Sequence, residues 1–206
     1  MWQERLNEFV TLLVVVNPIG VLPTFMDRAG RFELPTQRRI ALQAVLMAAA
    51  VLVFFMVAGG FLLEKMGVSL RAFQIAGGII LFVFALEAIR GQIYTPRPAD
   101  DSETPSALAV YPIGIPKIAG PGTMLAVVLL TDDHRFDFTQ LWMTALVLAL
   151  VLAITFAILA MAGPLSRLIG TAGASVIARV MGVILAALAV NTVLSAFAVW
   201  LGLPKL

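Results

Sequence analysis

Two prolines decide what this chain can become. Each stands inside a long apolar stretch: Asn17-Pro18 within Val14–Met26 (VVVNPIGVLPTFM), and Gly120-Pro121 within Gly114–Leu125 (GIPKIAGPGTML). Proline has no N–H to donate and its ring collides with the preceding turn, so neither stretch can run as one undisturbed helix. Asn or Gly followed by Pro is also a favoured opening for a new helix, as cap and first residue. Each stretch therefore predicts a helix broken near its middle, with a fresh N-terminus inside the apolar region. In hydrocarbon such a break survives only where the freed backbone groups are buried in protein or line a cavity.

The surroundings are indeed hydrocarbon-like. The chain is 61% hydrophobic and only 13% charged, with a mean hydropathy of +0.99; a soluble domain is about half apolar and a quarter charged. Uncharged apolar runs occupy Phe9–Met26, Ile40–Leu63, Ala72–Leu86, Ser106–Pro116 joined to Ile118–Thr131, Phe138–Gly163 and Val180–Pro204. A bilayer core takes roughly 20 helical residues. The second, fifth and sixth runs qualify outright, the first is just long enough, the third needs its flanks, and the fourth must include Lys117. The expectation is an all-α integral membrane protein with six transmembrane helices. The opening MWQERLNEF, without a basic leader region or a small-residue cleavage site after the first run, is not expected to be a cleavable signal.

Lys and Arg set the orientation. With both termini outside, Arg28, Arg31, Arg38, Arg39, Arg90, Arg97, Lys117, Arg167 and Arg179 lie on the cytoplasmic side, and Arg5, Lys65, Arg71, Arg135 and Lys205 outside. That bias, led by the first loop, favours termini outside. The net charge of +2 and pI near 9.4 do not imply nucleic acid, because the basic residues sit between apolar segments. Cys is absent, which excludes disulfides and thiolate-bound metal. The lone His134, among Asp132, Asp133 and Arg135, reads as part of a solvated loop.

A Pro- and acid-rich stretch, QIYTPRPADDSETP, has little to bury and reads as a cytoplasmic linker over 92–105. It separates repeats at 1–91 and 106–206 that resemble each other. Each opens with a broken segment, continues with a long span, and ends with a short basic loop and a Gly-bearing span: RAFQIAGGIILFVFALEAI in one, SVIARVMGVILAALAVNTV in the other. Setting Gly78 against Gly182 also sets Glu87 against Asn191. Three spans is an odd number, so the second repeat enters the membrane inverted. Inverted repeats with paired broken helices are the pattern of secondary transporters.

Four segments, Asn17-Pro18-Ile19-Gly20, Ile75-Ala76-Gly77-Gly78, Ile115-Pro116 with Ala119-Gly120-Pro121-Gly122, and Ala178-Arg179-Val180-Met181-Gly182, resemble the sequence marks of the MarC family. The resemblance runs over essentially the whole chain. It implies a small six-span protein of the bacterial inner (plasma) membrane, in a family placed beside LysE-type exporters, some of whose members are similar to small neutral amino acid transporters. Lys117 departs from the small or apolar residue that the resemblance leads one to expect there.

The half-helices starting at Pro18 and Pro121 run in opposite directions, so their N-termini approach each other near the midplane. Each carries unsatisfied N–H groups and roughly half a positive charge, and together they favour an anionic group such as a carboxylate or phosphate. The substrate-binding candidates are Asn17, Pro18, Gly20, Gly120, Pro121, Gly122, Thr123 and Asn191. Gly20, Gly120 and Gly122 would let backbone approach a ligand, and Thr123 would add a hydroxyl. A single kink is ordinarily a packing device; equivalent kinks in inverted halves point to a site. Glu87, the one acid inside an expected span, is the ion-coupling candidate, or else an interfacial anchor. Asn191 is either a ligand or interhelical glue. Gln43 and Gln74 read as packing or interface residues. Lys117 either snorkels to the cytoplasmic surface or adds to the positive field. Gly77, Gly78, Gly182 and Ala186 fit close helix packing.

These residues describe a transporter of a small carboxylate-bearing solute, an amino acid-like metabolite, with the small molecule and the lipid bilayer as partners and self-association left open. The alternatives are a lipid-carrier or phospholipid flippase, and a structural or regulatory membrane protein without a transport cycle. No nucleophile–base pair or metal cluster sits at a plausible depth, so neither an enzyme nor a cofactor is expected.

Overall fold

The computed structural model describes residues 2–90, 104–132 and 138–202. The linker expected at 92–105 falls outside them except for its last two residues, as does the loop around His134. The described residues are helical, with no strand among them. Five helices are long and apolar enough to cross a membrane: Trp2–Ala29 counted through its break, Leu34–Lys65, Leu70–Arg90, Phe138–Ala160 and Ser175–Trp200. A pair bent by 56°, Pro105–Ile118 with Pro121–Thr131, makes six if it is taken as one span.

In the first span, α1 (Trp2–Val16) and α2 (Pro18–Ala29) meet at a single residue. Asn17 is left-handed, with φ 48 and ψ 63. Asn is among the few residues that tolerate this region, because its short amide can bond locally. Its Oδ1 accepts the Gly20 N–H at 3.1 Å, and its own N–H donates to the Leu13 carbonyl at 3.0 Å. The chain thus turns without leaving either donor exposed. Pro18 occupies the first helical position, where no N–H is needed.

Beyond α3 (Leu34–Lys65) and α4 (Leu70–Arg90), the short α5 (Pro105–Leu108) starts on a Thr104 cap, whose hydroxyl accepts from the Ala107 N–H at 3.3 Å. The next ten residues, Ala109–Ile118, form an irregular segment of wide, π-type turns, in which Tyr111 and Ile115 have extended backbone. Both precede a proline, Pro112 and Pro116, and the Pro ring drives its predecessor out of the helical region. The fourth apolar run is therefore not a helix with one break at Gly120-Pro121; its irregularity begins at Tyr111. Regular helix resumes in α6 (Pro121–Asp132), where the Thr123 hydroxyl donates to the Ile118 carbonyl at 3.0 Å.

α7 (Phe138–Ala160) and α8 (Ala162–Trp200) are separated only by the turn at Met161. The short basic loop expected before the last span is instead continuous helix. α4 and α8 pack closely through glycines, as small residues allow when lipid supplies no hydrophobic drive between helices. A Cβ at Gly78 would stand 2.6 Å from Val193 Cγ2, and one at Gly182 would stand 3.0 Å from the Ala85 carbonyl. Gln74 donates to the Thr192 carbonyl at 3.1 Å across the same seam. Ile79, Val83, Val183 and Val190 point outward as apolar surface, while Leu12, Phe25, Ile40, Leu52, Ile113, Val127 and Val151 fill the interior.

Contacts fix the relative directions of the helices. Arg5 reaches Gln140 and Thr144, so α1 and α7 begin on one side of the bundle. Gly182 lies against Ala85, Ala88 and Ile89, so the last span begins beside the end of α4, on the opposite side. Gly114 abuts Ala44, and the Thr131 hydroxyl reaches the Met56 carbonyl at 3.4 Å, so the bent pair climbs along α3 in the same direction. The Trp2 and Trp200 ends then share a side that Arg90 does not. With the charge bias, a reporter fused after Leu206 is expected to read as external and one inserted near Ser102 as cytoplasmic. Matching readouts from the two would show that the bent pair turns back instead of crossing.

Candidate functional site

Both breaks open onto one cavity of about 80 Å³. Asn17 and Gly20 come to it from the first break, and Gly120, Pro121, Gly122 and Thr123 from the second. The inner end of α1 (Val15, Val16), the last turns of α4 (Leu81, Phe84, Glu87, Ala88), Pro116, Lys117, and Ala178 and Leu185 of α8 complete the wall. The volume is well below the roughly 300–1,000 Å³ of a drug-sized site, so the space admits only a small group.

The chain folds this way because the two prolines start helices where they do. In the first turn of α6, the amides of Gly122 and Thr123 have no acceptor within the helix. Thr123 is fully buried; its proton is committed to Ile118, which leaves its oxygen lone pairs to accept. Asn17 has spent its oxygen on Gly20, so the NH₂ is what it can offer a ligand.

Other expected members are placed differently. Pro18 is buried behind Asn17 and does not line the space. Asn191 is exposed on the outer surface of α8, away from the cavity. The three glycines do not hold space open for a ligand by lacking a Cβ. A Cβ at Gly20 would strike the Asn17 side chain, at Gly120 the Pro116 carbonyl (2.6 Å), and at Gly122 Leu81 Cδ1 (2.5 Å). Their smallness lets the broken ends pack against their own chain.

The charged groups lie on separate elements. Glu87 is exposed at the mouth of the cavity, near the end of α4; Lys117 is half-buried, on the irregular segment. The Glu87 carboxylate lies within electrostatic reach of the Lys117 ammonium. Lys117 thus belongs to the cavity wall.

Glu87 is not alone among acids in the apolar helices. Glu8, on α1, is 8% exposed and pairs with Arg5 at 2.7 Å. Thr144 donates to Glu8 at 3.5 Å, and Arg5 donates to Thr144 at 3.2 Å and to Gln140 Oε1. The uncharged run in the sequence starts at Phe9, one residue after Glu8, and so leaves this cluster outside the expected first span. The signal was the Arg5–Glu8 spacing, which puts the two on one helical face.

A model of the MarC family of integral membrane proteins matches residues 2–201. Among similar proteins, a UPF0056 membrane protein of Archaeoglobus fulgidus is 33% identical over 194 residues, covering 92% of this chain and 90% of that one. A UPF0056 membrane protein of Aquifex aeolicus is 31% identical over 204 residues, covering 93% and 94%. The UPF0056 inner membrane protein YhgN of Escherichia coli K12 is 32% identical over 202 residues, covering 96% and 98%. No solved structure matches the chain.

The left-handed Asn17 supplies a test of the break itself. Asn17→Ala loses the cap and the local amide bond that offsets the cost of a left-handed residue, so it should destabilise by about 2 kcal/mol. Asn17→Gly keeps the backbone geometry free of strain and should cost less than half as much. Thermal melting in detergent measures both, and equal losses would mean that backbone handedness is not what limits this position.

Proposed function

This chain belongs to the MarC family of integral membrane proteins, and we propose that it transports a small carboxylate-bearing solute across the inner membrane, holding it between the two broken helices. One observation carries this reading: the N-termini of α2 and α6 open onto a single cavity inside an apolar bundle. Each end brings roughly half a positive charge and first-turn amides, the standard equipment for an anion.

The arrangement of elements supports a transport cycle. The first broken span (α1 and α2) packs against α7 and α8, the bent pair packs against α3 and α4, and α4 packs against α8. Two inverted repeats of three spans would produce this reciprocal pairing, with the first member of each repeat resting on the second and third members of the other. Secondary transporters of that build place their site at the junction of the repeats. The inner membrane is where the Escherichia coli relative is placed by its name.

In this reading Asn17 and Thr123 contact the solute head group, with Gly122 and Pro121 presenting the end of α6. Glu87, at the mouth, carries the coupling cation or proton. Binding raises apparent stability by mass action. A thermal-shift panel of purified protein against small carboxylic acids and their amides should give upward shifts with acids only. Equal shifts from an acid and its amide would reassign the breaks as hinges. Glu87→Gln should leave the protein folded and remove gradient-driven uptake in proteoliposomes while sparing solute exchange. Coupled uptake at the native rate in that variant would make Glu87 an interfacial anchor.

A further inference from the structure

Glu87 and Lys117 are the only titratable groups among the described residues lining the cavity. They come from different elements, Glu87 from the end of α4 and Lys117 from the irregular segment before α6. The remaining wall is apolar or uncharged, so these two and the helix ends are the charges at the wall itself; Arg90 and Arg179 lie exposed nearby, outside the lining. Two helix N-termini contribute about half a positive charge each. Glu87 by itself cancels both, and a cavity so balanced has no preference for an anion. With Lys117 present, one positive charge remains.

We propose that Lys117 is the residue that sets the sign of this cavity, making it selective for anions in the presence of Glu87. This rests on reading the cavity as the solute site, yet the potential itself can be measured without any solute. The ammonium lies on backbone that is not regular helix, between the extended residue Ile115 and the start of α6. Pro116 fixes the backbone directly before it, so the cation is carried on the same turn that delivers the end of α6. Lys117 is therefore a specificity-determining residue: it acts on whatever charge enters, and the helix ends supply the directed donors.

The chain has no cysteine, so one introduced at Ala88, on the cavity wall, is an unshared probe. In detergent, its reaction rates with anionic sulfonatoethyl and cationic trimethylammonioethyl methanethiosulfonate are compared as a ratio. Lys117→Met should lower the anion-to-cation ratio by about tenfold or more, and Glu87→Gln should raise it by a similar factor. Lys117→Arg should stay within about twofold of the native ratio, since it keeps the charge. A cysteine at Ser69, exposed on the far side, should show no change with Lys117→Met. An unchanged ratio at Ala88 in Lys117→Met, an equal change at Ser69, or Lys117→Arg behaving like Lys117→Met would each overturn the proposal. Since no solute is involved, failure of carboxylates to shift the melting temperature leaves this result standing; it would then describe an anion-attracting cavity with a different occupant.

Discussion

A backbone amide inside hydrocarbon must find a partner within the protein, and this requirement shapes the whole molecule. Continuous helices meet it automatically. The two broken spans meet it by local substitution: the Asn17 oxygen accepts from Gly20, the Asn17 N–H continues to Leu13, and the Thr123 hydroxyl serves Ile118. Proline helps at both openings by removing a donor that the first turn of a helix would have left unpaired. The breaks are stable because each is nearly complete on its own. The first-turn amides of Gly122 and Thr123, which have no acceptor within α6, lie at the cavity wall.

Much of this was legible in the sequence because proline and the residue before it act locally. Asn17-Pro18 as cap and first residue, the second opening at Gly120-Pro121, and the glycine seam between α4 and α8 follow from chain geometry that a few residues dictate. The extended backbone at Tyr111 and Ile115 is written there too, in Pro112 and Pro116, local signals to which length and apolarity are blind. Facing directions were less accessible. The sequence sets Asn191 against Glu87 when the two halves are laid over each other, yet Asn191 is exposed on the outer surface while Glu87 reaches the cavity. Alignment of repeats gives depth along the helix, and the rotation about its axis comes from packing. Similarly, the glycines of the breaks are filled by Asn17, Pro116 and Leu81, contacts that only the folded chain reveals.

The cavity and the α4–α8 seam are linked through shared helices. Leu81, Phe84 and Glu87 on α4, with Leu185 on α8, form wall, while Gly78 and Gly182 hold these helices together close by. The broken spans sit against this pair, so the site has one side made of continuous, closely packed helix and another made of interrupted backbone. On the second side the chain changes direction at Asn17 and over the irregular segment Ala109–Ile118.

The Arg5–Glu8 cluster bears on how the chain is built. Its partners Gln140 and Thr144 lie 135 and 139 residues further along. At synthesis rates of about 5–20 residues per second, α1 waits roughly 7–28 seconds for them. During that interval the first segment must enter the bilayer carrying an acid and a base. In the folded chain Arg5 and Glu8 are bonded to each other within one turn, at 2.7 Å, a pairing that their spacing makes available to α1 on its own. The later arrival of α7 converts that pair into a joint between the beginning of the chain and its second half.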